Sequence, residues 1–135
     1  MKINKLTYAN IKPYGWIIDS TFMKDDGHGD KFEVLLKQKS KGWRIGYLIL
    51  RNKKFRSLEN HPNSLETFEP VSGSAIIALA DNRNPGKFKA FLLDKPVVIK
   101  KGVWHNVAAV SGRCEIKIFE NIDVKTERAD LFAKS

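Results

Sequence analysis

The chain has 135 residues, enough for one ordinary domain, and 42% of them are hydrophobic against 29% charged, a balance that excludes a disordered chain. No apolar run nears the ~20 residues of a membrane-spanning helix, the amino terminus lacks the apolar core of a secretory signal, and the lone Cys114 excludes a disulfide framework, so a soluble cytoplasmic domain over 1–135 is expected. Lys+Arg number 24 against 15 Asp+Glu, and the resulting +9 favours small anionic substrates; no recognition motif accompanies the charge, so nucleic acid is not an expected partner.

Trp16-Ile17-Ile18, punctuated by Pro13 and Gly15, predicts a short strand. Lys24 to Asp30 is a polar, glycine-rich loop suited to a lid, and its His28 has no second ligand at a useful spacing. Further strands are predicted at Phe32 to Leu36, Trp43 to Leu50, Ser74 to Ala80, Phe88 to Leu93, Pro96 to Ile99, Val103 to Val110 and Cys114 to Phe119. Turn residues such as Ser72-Gly73, Lys101-Gly102 and Ser111-Gly112 separate them. The basic runs Lys37 to Arg44 and Arg51 to Arg56 read as solvated turns with strand ends.

In Trp43 to Leu50 a period of two sets Trp43, Ile45, Tyr47 and Ile49 on one face and Arg44, Gly46, Leu48 and Leu50 on the other, predicting a strand partly buried on both sides. Trp43, Tyr47, Phe68 and Trp104 are assigned to the core. Many short strands without alternating helices indicate an all-β sandwich or closed barrel. The tail from Asp123 to Ala133 is read as a short C-terminal helix laying Val124, Ala129, Leu131 and Phe132 against the barrel or a partner.

Chemistry concentrates between Ser57 and Gly73. Glu59 and His61, two apart, leave the same face of an extended strand, and a turn at Pro62-Asn63-Ser64 returns a second strand carrying Glu66 in line with Phe68 and Pro70. His105 follows a turn glycine farther on. Two imidazoles with one or two carboxylates suit a divalent first-row metal. They equally suit metal-free acid–base work or a structural polar cluster.

The run from Glu59 to Gly73 resembles the first cupin motif: His61, Glu66 and Gly73 match in type and spacing, with Glu59 where the first histidine would stand. Gly102-Val103-Trp104-His105 resembles the second motif, with Lys100 in place of its usual proline. Within the cupins, the chain is similar to the ureidoglycolate lyase family through Leu58-Glu59-Asn60-His61-Pro62, Phe68-Glu69-Pro70, Lys101 to His105 and the early Tyr14-Gly15.

That resemblance implies a cupin-type double-stranded β-helix, a small β-barrel or jelly roll, that pairs into a homodimer. It implies cleavage of ureidoglycolate to glyoxylate and urea, a step of purine and allantoin degradation. Glu66, His61 and His105 would be catalytic, with Lys100, Lys101 and Glu59 binding substrate. A divalent metal (Ni, Mn, Fe or Zn) would sit on His61, Glu66, His105 and Glu59, with a metal-free enzyme as the alternative. Competing readings are an oxygenase or isomerase acting on another small acid, and a cupin that binds a ligand without turning it over.

Overall fold

The computed structural model describes residues 1–131, and its regular secondary structure is almost wholly β. The strands are β1 (Ile3–Asn4), β2 (Gly15–Ile17), β3 (Trp43–Leu50), β4 (Ser57–Asn60), β5 (Glu66–Ser72), β6 (Ala75–Ala80), β7 (Lys89–Leu92), β8 (Val97–Ile99), β9 (Trp104–Ala109), β10 (Cys114–Asn121) and β11 (Glu127–Asp130). They form two ladders, one ordered β1-β7-β6-β9-β4-β11 and the other β2-β8-β5-β10-β3. All pairings are antiparallel except β1 with β7. The result is a double sheet, jelly-roll in character, rather than a closed barrel.

Alternation along each strand sends one set of side chains between the sheets. Ile77 and Leu79 of β6, Val107 of β9, Phe68 of β5 and Ile116 of β10 meet there in the main core, with Ile99 of β8. A second cluster lies on the opposite face of the first sheet, where Leu58, Ala78, Ala80 and Trp104 pack with Phe55 and Phe88. Two turns are fixed by glycine. Gly73 and Gly102 adopt φ of +73° and +78°, where a side chain is strained, and they return the chain into β6 and β9.

Three sequence expectations change. Phe32 to Leu36 is not a strand: Phe32 and Val34 are 84% and 64% exposed, and the segment finds no ladder partner among the described residues. Trp43, Ile45, Tyr47 and Ile49 are exposed rather than core, because among the described residues no second sheet packs on that outer face, which residues 32–40 only flank at Trp43 and Phe119. The tail is not a helix: Glu127–Asp130 pairs with β4, and Ala129 joins the cluster around Leu58. Phe132 and Ala133 lie outside the described residues. Periodicity also misses the one-turn helix α1 (Tyr8–Ile11), too short for a pattern but closed by a capping box between Thr7 and Asn10.

Candidate functional site

β4 carries the chain to Asn60, after which His61 opens the turn into β5, whose first residue is Glu66; β9 brings His105 from the facing sheet. All three residues are buried. Nε2 of His105 lies 2.8 Å from Oε1 of Glu66, and Nε2 of His61 lies 3.0 Å from the same oxygen. The edge of the His105 ring also faces Phe68, with centroids 5.5 Å apart, so the cluster has an apolar wall.

The tautomers follow from what lies behind each ring. Nδ1 of His105 is 3.0 Å from the Val103 carbonyl, and Nδ1 of His61 is 3.2 Å from the Lys125 carbonyl. A carbonyl only accepts, and the Thr126 hydroxyl 3.2 Å from Nδ1 of His61 can accept as well, so each Nδ1 is placed to carry a proton and donate it. In the neutral rings both Nε2 lone pairs therefore point at a carboxylate oxygen. Although both nitrogens are within contact of Oε1, no well-directed donor among the described residues satisfies it. Three acceptors facing one another under burial repel unless a cation or shared protons sit between them.

The same opposition shows in the titration. Burial pushes the Glu66 pKa up, but the imidazoles of His105 and His61 outweigh it and hold it at about 2. Burial likewise disfavours a charged His61, and the Glu66 carboxylate with the Lys125 carbonyl reverses that, raising its pKa. The three ligand atoms lie within 4.8 Å of one another, as a metal-binding triad requires.

Residues 1–133 match the family described as ureidoglycolate lyase. The chain belongs to that family. No curated protein matches it. Among solved structures, a dTDP sugar isomerase from Desulfovibrio desulfuricans G20 is 17% identical over 82% of this chain and 80% of that one, with a TM-score of 0.61. A cupin 2 domain-containing protein from Halorhodospira halophila is 14% identical over 86% and 80%, with a TM-score of 0.54. These likenesses establish a cupin-type fold.

On this ureidoglycolate lyase scaffold the other expected site residues stand apart from the triad. Glu59 is the register partner of His105 across β4 and β9, but its Oε1 accepts from Nη2 of Arg128 at 3.3 Å. The strand β11, which supplies that arginine, was the expected helix, so the competing partner was invisible in the sequence. Nζ of Lys100 donates to the Lys12 carbonyl at 3.0 Å and lies 5.5 Å from the Trp16 ring centroid. Lys101 is exposed in its turn, and neither lysine forms an ion pair among the described residues.

One residue beside the triad escapes sequence reasoning. Glu120 of β10 is the register partner of Glu66, its side chain is only 11% exposed, and Arg44 holds it from the next strand at 2.9 Å. Burial, then the charge of Glu66, raises its pKa against the pull of Arg44. Only the pairing of β5 with β10 could have revealed it. Glu120 and Asn121 also border a cleft of about 500 Å³ between residues 32–40 and the second sheet, which none of the three triad residues lines.

Proposed function

We propose that the chain is a lyase that cleaves ureidoglycolate into glyoxylate and urea at His61, Glu66 and His105. The observation that carries this reading is the meeting of the Nε2 atoms of His61 and His105 with one carboxylate oxygen of Glu66 at a single buried point, on a chain of this family.

The reaction needs no water and no electron acceptor. The substrate hydroxyl loses its proton, its electron pair forms the aldehyde C=O, the C–N bond breaks, and the urea nitrogen takes up a proton. Nε2 of His105, whose lone pair is fixed inward by the Val103 carbonyl, is placed to take the hydroxyl proton. His61, biased toward its charged form, is placed to give one to the urea nitrogen. Glu66 is too weak a base at a pKa of about 2 for the first job and instead fixes both rings. As the alternative to these proton-transfer roles, since a ligating Nε2 has neither a proton nor a free lone pair, His61, Glu66 and His105 would hold a divalent cation, which would supply Lewis-acid polarisation of the hydroxyl and carboxylate.

Urea and glyoxylate released from ureidoglycolate by purified protein, measured before and after chelation, test the reading; no release in either state refutes it. The set of two histidines and one carboxylate also favours a second reading, an iron-dependent oxygenase acting on a small acid. Oxygen consumption with such an acid would select it over the lyase.

A homodimer built on the outer face of β3 belongs to the same proposal. Trp43, Ile45, Tyr47 and Ile49 are 45–60% exposed in a single row on a sheet edge, and Trp43 stacks on Phe119 to extend it. An edge strand with an apolar outer face is a ready template for a second copy.

A further inference from the structure

The triad sits within two continuous rows of register partners. In the second sheet the row runs Gly15, Ile99, Glu66, Glu120, Arg44. In the first it runs Leu79, His105, Glu59, Arg128. Cross-strand partners share a face, and His105 touches Glu66, so both rows look into the space between the sheets. Each row therefore passes from apolar core through the triad to a glutamate and ends in an arginine on an edge strand.

We propose that Arg44 binds the carboxylate of a small hydroxy acid whose reacting carbon lies at the triad. This rests on the reading of His61, Glu66 and His105 as the reaction centre. Where the triad itself moves the protons, the acid's carboxylate calls for a cation beside it, and the two lysines expected to serve are engaged at Trp16 or exposed in a turn. Arg44 stands two strands from Glu66, about 10 Å between Cα atoms at ordinary strand spacing. Glu120 stands between the two in the row, and a molecule of a few heavy atoms has the length that would join the two side chains past it.

The guanidinium is also preset. Nε and Nη2 both meet Oε2 of Glu120, at 3.0 and 2.9 Å, which fixes its plane and leaves Nη1 without a partner among the described residues. Along β3, the next position on the same face is Gly46, which brings no side chain beside it. Arg128 is the weaker candidate: a single nitrogen meets Glu59 at 3.3 Å, on a carboxylate side chain 36% exposed. The bland alternative is that Arg44 and Glu120 are merely a cross-strand ion pair.

Calorimetric titration with glycolate and with its neutral isostere glycolamide separates these. Wild type should bind glycolate about ten- to a hundredfold tighter than glycolamide, as a charge-assisted bond implies. Arg44→Gln should erase that preference by weakening glycolate more than glycolamide, and Arg44→Lys should restore part of it. His105→Ala should lose both ligands. If Arg44→Gln keeps the preference while His105→Ala abolishes binding, Arg44 is only structural and the reaction centre stands. If His105→Ala binds both ligands as wild type does, the reading of the triad itself fails.

Discussion

His105 and Glu66 touch at 2.8 Å although they come from facing sheets, His105 from β9 of one and Glu66 from β5 of the other. Each is buried, and neither has another strong partner at the touching atom except His61. The contact joins the two halves of the fold at the point where the chemistry is proposed to occur.

A cation should stabilise the protein through this point. Adding a divalent first-row metal at about a hundred times its dissociation constant should raise stability by about 2.7 kcal/mol. Differential scanning calorimetry with and without chelator measures it. Glu66→Gln removes the anionic ligand and should lose most of the effect; equal metal stabilisation in that variant would count against the triad as the binding site.

Without metal, stability should depend on pH from both sides. The raised pKa of His61 contributes stability that is full below the ordinary 6.5 and disappears as pH rises through the folded value. The lowered pKa of Glu66 contributes stability that is full above 4.5 and disappears as pH falls toward about 2. Chelated protein should therefore melt highest between those two ordinary values, and Glu66→Gln should flatten the profile. Superimposable melting curves for the two proteins across pH would show that the groups are not coupled.

Gly73→Ala should destabilise by about 1–3 kcal/mol, because it forces a side chain into the left-handed region. The added Cβ would also run into the Arg113 carbonyl, so the turn between β5 and β6 must shift. Urea unfolding measures the loss; a variant as stable as wild type would mean that the turn relaxes freely.

Light scattering should find twice the 15.4 kDa chain mass in solution. Ile45→Glu places a charge in the apolar row of β3 and should yield the monomer, still folded. A monomeric wild type, or a dimeric Ile45→Glu, would remove β3 from the interface.

Much of this was legible in the sequence because it depends on short-range pattern. Period two and turn glycines located most strands, and His61 and Glu66, on either side of one turn, were bound to lie close. The second motif supplied His105. Long-range pairing was not legible. Arg128 reached Glu59 only because β11 adds to β4, and Glu120 reached Glu66 only through the β5–β10 ladder. Trp43 and Tyr47 carry the same alternation whether a layer covers them or not, so the pattern could not show that β3 is an edge.

The most direct test of the triad as one reaction centre is the kcat/KM for urea release from ureidoglycolate by Glu66→Gln, His105→Ala and the double variant. Residues that act as a unit do not add. Each single change should cost about a hundredfold or more, in the range of general acid–base catalysis, and the double should cost no more than the worse single. Single variants with wild-type turnover, or losses that multiply in the double, would contradict a shared centre.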